Sequence, residues 1–118
     1  MTEHFSTHLL DQVIDKKREK REQVRKDCLS ACFKALDKLS RLISFEEAYM
    51  FGSLAKPYRF NRDSDVDIAF LGLCNEDFFQ AIAFLSRELN SDVDVVQLEN
   101  HPRKKLIIRE DIRWKKRD

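Results

Sequence analysis

Glycine and proline are nearly missing from this chain, with two of each in 118 residues. Few positions are set aside for sharp turns, so Gly52, at the end of an apolar run, stands out as a special backbone position. No glycine or proline interrupts the stretch from His8 to Leu42. Apolar runs are short, and none approaches the length needed to cross a bilayer. The N-terminal Met1-Thr2-Glu3-His4 lacks the basic-then-apolar order of a signal segment. Cysteine is scarce and odd in number (Cys28, Cys32 and Cys74), without disulfide spacing, which leads us to expect a reducing, cytoplasmic setting. Internal repeats and low-complexity linkers are also lacking. What is abundant is charge, at 36%, beside 42% hydrophobic residues. That balance describes one folded domain with a modest core and a heavily charged surface.

The net charge of +1 hides a segregation. Residues 1–40 hold nine Lys/Arg against seven Asp/Glu, residues 41–102 five against eleven, and residues 103–118 eight against three. An acidic centre suits a cation site, and basic ends suit an acidic partner, a nucleic acid or the acidic middle itself. Aromatic residues are not interleaved with the basic runs Lys16-Lys17-Arg18 and Lys115-Lys116-Arg117. With the acidic middle, this argues against a broad nucleic-acid face.

Taken in order, residues 1–7 are polar and expected to fray. His8 to Leu42 carries a helical pattern. Leu9, Leu10, Val13 and Ile14 form one apolar patch, and Val24, Cys28, Cys32, Leu36, Leu39 and Ile43 form a second at helical spacing. Asp15 to Gln23 between them is almost wholly charged, so the segment reads as one long helix with a solvated waist, or two helices with a frayed joint. The first patch lies too far along a helix to share the core of the second. It is free to pack on another chain, including a second copy. Ser44 to Phe51 leads into a first strand, Gly52 to Ser64 forms a loop, and Val66 to Leu71 a buried strand. Asn75 is placed to cap a helix over Phe78–Leu89. A third strand follows over Asp92–Leu98, then a last helix with Asn100 or His101 as cap and Pro102 in its first position. Leu106, Ile107, Ile112 and Trp114 add apolar contacts. Trp114 is either a docking anchor or a cap on the core. The expected fold is mixed α/β: a small mixed sheet with helices packed on it (44–118), preceded by a helical extension (1–43).

Chemistry gathers between Gly52 and Asp94. Gly52-Ser53 at a strand end offers backbone N–H groups and a hydroxyl to a phosphate, or simply caps a helix. Asp65 and Asp67, two apart, point to one face of a strand. Asp67 lies within the apolar run Val66–Phe70, and Asp94 is similarly enclosed by Val93, Val95 and Val96. An unpaired buried carboxylate is costly, so a cation or donors are expected beside each. Oxygen-only ligands suit Mg²⁺, bound through carboxylates and substrate phosphates. Asp63, Asp65 and Asp67 also open like a calcium loop, but Ile68 stands where that loop needs glycine and Cys74 where it needs glutamate. Lys56, Arg59 and Arg62 are candidates to neutralise triphosphate charge. Cys28 and Cys32 lie on the apolar stripe and read as core, rather than as metal ligands with His4 or His8.

The combination of Gly52-Ser53, Ser64-Asp65-Val66-Asp67-Ile68 and Asp94 on a later strand resembles the nucleotidyltransferases of the DNA polymerase beta superfamily. The short chain is similar to their minimal nucleotidyltransferase (MNT) group, and the likeness runs from Glu47 to Trp114. The resemblance implies the nucleotidyltransferase fold. Gly52 and Ser53 would hold the β- and γ-phosphates of ATP, with Lys56 and Arg62 as further nucleotide contacts. Asp65 and Asp67 would bind two Mg²⁺ ions, and Asp94 would complete the ion that activates the attacking hydroxyl. Attack at the α-phosphate would release pyrophosphate. The segment from Leu54 to Ser64 is one residue longer than usual, and Ala55-Lys56-Pro57 replaces the common Ala-Arg-Gly. A single extra loop residue costs little entropy. Members of this group often accompany a small helical HEPN toxin and act as its antitoxin. The resemblance thus implies AMP transfer onto a tyrosine of such a partner in a hetero-oligomer, with the first apolar patch and the basic tail from Arg103 to Arg117 as docking faces. Two rivals remain: an antitoxin that neutralises by binding alone, and the transfer subunit of a two-subunit enzyme acting on a small molecule.

Overall fold

The computed structural model describes residues 2–116, with side chains from Leu9 onward. Helix α1 runs unbroken from Thr2 to Leu42. The charged waist is thus continuous helix, and the helix begins well before His8. The side chains of His4 and His8, and Arg117 in the tail, lie outside the described residues. At about 1.5 Å per residue, α1 is roughly 60 Å long, which accounts for the longest dimension of 65 Å against 28 and 25 Å. Its C-terminal half packs through Cys32, Ala35, Leu36 and Leu39, all buried. Its first patch stands clear, with Leu9, Leu10, Val13 and Ile14 between 45% and 58% exposed.

The remaining elements are β1 (Glu47–Phe51), a 3₁₀ turn (Gly52–Ala55), β2 (Val66–Leu71), α2 (Phe78–Leu89), β3 (Val93–Gln97), α3 (Lys104–Glu110) and β4 (Ile112–Lys115). The sheet order is β3-β2-β1-β4. β2 and β3 pair in parallel through the α2 crossover, and the other pairs are antiparallel. Alternation divides the sheet into two faces. Ala48, Met50, Val66, Ile68, Phe70 and Val95 meet α1 and α2 in the larger core. Tyr49, Ala69, Leu98 and Ile107 form a smaller one under α3.

Three expectations change. Asn75 does not cap α2. A 3₁₀ turn (Asn75–Asp77) precedes that helix without a side-chain cap, and Asn75 Oδ1 accepts instead from Gln97 Nε2 at 2.5 Å. The last helix starts at Lys104, beyond Pro102, with no side-chain cap bond; His101 Nδ1 accepts from the Arg103 N–H at 3.1 Å just before it. A fourth strand then follows the helix. β4 completes the sheet edge beside β1, and Trp114 pairs with Ala48 in register.

Trp114 belongs to the core. It is 4% exposed, its ring lies 5.0 Å from that of Phe45, and Nε1 donates to Asp37 Oδ1 at 2.8 Å. This contact ties the last strand to α1 and rules out Trp114 as a docking anchor. Trp114→Ala is expected to cost about 3–5 kcal/mol in urea unfolding, through lost packing. Asp37→Ala should cost less, about 1.5–3 kcal/mol, the worth of a hydrogen bond to a charged acceptor. A Trp114→Ala chain as stable as the parent would contradict this packing.

Candidate active site

The register of the sheet creates the site. Phe51 pairs with Asp67, and Asp67 with Asp94. The three form one row across β1, β2 and β3, on the face that carries α3 further along. Asp65 sits just before β2 and is exposed, whereas Asp67 is half-buried. A stapled loop delivers Asp65. The Asn61 N–H donates to Ser64 Oγ at 3.1 Å, Asn61 Oδ1 accepts from the Asp63 N–H at 2.8 Å, and the Val66 N–H donates to the Asp92 carbonyl at 3.0 Å.

Asp67 feels its neighbours. Burial raises its pKa above the ordinary aspartate value, and the charges of Asp94 and then Asp65 push it further. The charges of Asp65 and Asp94 thus reach Asp67. They do not form a closed cluster: among the described residues, no three His, Cys, Asp or Glu side chains are already gathered to hold an ion. Like charges keep apart, and an oxygen-only donor set on two adjacent strands fits Mg²⁺, which keeps waters and substrate oxygens in its shell.

Gly52 is required here for two reasons. Its φ of +70° lies in the left-handed region, and an added Cβ would fall far inside contact distance of Asp67 Oδ2. The turn and the central carboxylate therefore fit only without a side chain between them. Ser53 follows within the half-buried 3₁₀ turn, its carbonyl accepting from the Lys56 N–H at 3.2 Å. Lys56 lines a cavity with Gly52 and Phe51. Arg62 lines another with Asp65 and Asp92. Arg59 stands apart, beside Lys17, Arg18 and Arg21 of α1 and Tyr58.

No motif or spacing pointed to Arg25. From α1 its Nε donates to the Leu54 carbonyl at 2.9 Å, while Nη1 donates to Glu22 at 2.6 Å. The turn after Gly52 is thus braced by the long helix. Inside a run of alternating charges, an i,i+3 pair of this kind looks like an ordinary solvated face. Cys32 is buried in the larger core and Cys28, half-buried, packs against it, on the stripe that their spacing indicated.

With this geometry in view, comparison with known proteins is direct. Residues 34–116 match the polymerase beta nucleotidyltransferase domain, and the chain belongs to that family. Among solved structures it is similar to a toxin–antitoxin with AMP-PNP (TM-score 0.58, 27% identity, 72% of this chain and 74% of that chain). It is also similar to the MntA–HepT toxin–antitoxin (TM-score 0.51, 25% identity, 71% and 70%). A third likeness is to a mutant of that system in which two aspartates, two residues apart, are replaced by glutamate (TM-score 0.58, 25% identity, 72% and 74%). No curated protein matches.

Two expectations follow. Asp67 has a raised pKa in the folded chain, so its contribution to stability is fully present below the unfolded aspartate value and is lost as pH rises through the folded one. Asp67→Asn should therefore raise Tm at neutral pH in chelator-treated buffer, and the gain should vanish toward about pH 3. Thermal melts across that range check the sign. Gly52→Ala should lose about 1–2 kcal/mol from the left-handed backbone alone and displace Asp67 in addition. Unchanged stability and an undisturbed Asp67 carboxyl resonance would contradict the close approach.

Proposed function

We propose that this chain is a Mg²⁺-dependent nucleotidyltransferase that moves AMP from ATP onto a tyrosine hydroxyl of a small helical HEPN-type partner, and that it acts as the antitoxin of that pair. The observation that carries the reading is the row Phe51–Asp67–Asp94, with Asp65 at the head of β2 and Gly52 against Asp67. Structural likeness to a toxin–antitoxin with AMP-PNP and to MntA–HepT supports both the nucleotide and the kind of partner.

In this reading the backbone at Gly52 and the Ser53 hydroxyl hold the β- and γ-phosphates. Lys56 and Arg62 offset triphosphate charge from either side. Asp65 and Asp67 would hold two Mg²⁺ ions, with Asp94 completing the ligand set. When bound, the ions lower the pKa of the attacking hydroxyl and stabilise the attacking and leaving oxygens. The acceptor hydroxyl enters beside Asp94, gives up its proton to solvent, and its oxygen forms the new bond to the α-phosphorus. The bond from that phosphorus to the bridging oxygen of the β-phosphate breaks, and pyrophosphate leaves past Gly52 in line with the attack. No covalent intermediate on the chain is needed.

The partner docks in a hetero-oligomer, with the exposed patch Leu9–Ile14 and the basic C-terminal segment as its surfaces. Among the described residues no helix is long and apolar enough to cross a membrane. Three free thiols and a need for ATP fit a cytoplasmic protein.

The test mixes the protein with its co-encoded neighbour, Mg²⁺ and ATP labelled at the α-phosphate, and follows the intact mass of both chains. The expected outcome is a metal-dependent gain of AMP on the neighbour. Asp65→Asn/Asp67→Asn should lower it at least about 10³-fold, since several kcal/mol of transition-state stabilisation are removed. Toxin neutralisation that the double variant retains, with no AMP on the neighbour, would replace catalysis by neutralisation through contact alone.

A further inference from the structure

Between the charged waist of α1 and the loop tip at Tyr58 lies a groove of about 490 Å³. Lys17, Arg18 and Arg21 of the helix and Arg59 of the loop line it, with Ile14 at one end and Tyr58 in its wall. It shares no lining residue with either cavity beside the carboxylates. Its helical wall also precedes residue 34, where the match to the nucleotidyltransferase domain begins.

Four cations line this one concavity, and no acid does. Among the described residues none of the four is ion-paired. Glu22, on the same helix, is already held by Arg25 at 2.6 Å. Like charges gathered in this way repel one another, and an anion relieves them. Two of the cations are fixed in place. Arg21 Nη1 donates to the Tyr58 carbonyl at 3.3 Å, which leaves its other N–H groups free for a ligand. The Arg18 guanidinium lies 4.5 Å from the centre of the Tyr58 ring, and Tyr58 is still 43% exposed. The basic run Lys16-Lys17-Arg18 has no aromatic neighbour in sequence; the fold supplies one.

We propose that this groove binds single-stranded nucleic acid, with phosphates on Lys17, Arg21 and Arg59 and an unpaired base against Tyr58 and Arg18. A run of carboxylates would meet the same cations but leave the ring idle. An aromatic face among guanidinium groups is what unstacked bases use. A duplex keeps its base faces covered, so the groove favours single strands. The site is separate from the carboxylate row and does not depend on nucleotide transfer there.

Fluorescence anisotropy with a short labelled oligouridylate tests this, in chelator so that no metal holds phosphate at the carboxylates. The parent chain should bind, with log K falling against log salt at a slope of about −2, for three phosphate contacts on a single strand. Lys17→Ala/Arg59→Ala, which removes two exposed side chains, should weaken binding and make the slope shallower by about 1.4. Tyr58→Ala should weaken binding at least about fivefold with the slope unchanged, and Tyr58→Phe should keep the parent affinity. Unlabelled oligoglutamate and tripolyphosphate, which lack bases, should compete at least about fivefold less well than unlabelled oligouridylate. No binding by the parent would overturn the proposal. Binding that survives both alanine variants would place the strand elsewhere on the chain and overturn it too. Equal competition by oligoglutamate, with Tyr58→Ala silent, would make the groove a surface for acidic peptides; equal competition by tripolyphosphate would make it a site for free phosphates.

Discussion

The parallel pairing of β2 with β3 is the constraint on which the site depends. It sets Asp94 directly beside Asp67, and with Asp65 it gathers three like charges at one end of a small sheet. The arrangement opposes folding: burial first, and then the charges of Asp94 and Asp65, raise the Asp67 pKa. It is sustained by what lies behind it. On the opposite face Val66, Ile68, Phe70 and Val95 are buried against α1 and α2. Each fully buried aliphatic or aromatic side chain contributes roughly 1.5–3 kcal/mol. That outweighs the repulsion of a half-buried carboxylate, so the apolar face fixes the register and the acids follow. A slip of one residue would send the acids into the core.

The long helix has a double part in this arrangement. Its C-terminal half supplies much of the larger core through Cys32, Ala35, Leu36 and Leu39. Its middle reaches the site through Arg25, whose charged donor meets the Leu54 carbonyl. Charge-assisted bonds of this kind are stronger than neutral ones. The turn after Gly52 is therefore held between a carboxylate on one side and a guanidinium on the other. A glycine where no Cβ fits and an arginine from a different element act on the same few backbone atoms.

The sequence was most legible where one physical signal dominated. β2 shows as a short apolar run, α2 as an amphipathic repeat, and the carboxylates as acids that apolar neighbours leave unexplained. β4 was missed although Ile112 and Trp114 alternate with Arg113 and Lys115, because four residues in a basic tail make a weak period-2 signal beside a helix. Asn75 is a good cap by composition, yet a tertiary partner, Gln97, takes its side-chain oxygen. Arg25 was illegible for a different reason: it matters through Leu54, far away in sequence, and its helical spacing does not set it apart. Charged residues carry position-specific information only once the fold says what they face.

The loop between Ser53 and Asp65 is held by elements on both of its sides. Its tip follows Pro57 and holds Tyr58 at a φ of +62°. For a bulky residue that conformation costs about 1–2 kcal/mol, so something must hold it. α1 does: Arg21 Nη1 donates to the Tyr58 carbonyl at 3.3 Å, and the Arg18 guanidinium lies 4.5 Å from the centre of its ring. Below the tip Phe60 is buried in the larger core, and the Asn61–Ser64 turn closes by its own hydrogen bonds. The loop is thus pinned to the helix on one side and to the core on the other before it reaches Asp65. The tip rests against the charged waist of α1, and the carboxylates take the positions that the sheet register gives them. On this account the solvated waist, featureless as sequence, is what holds the loop that leads to Asp65.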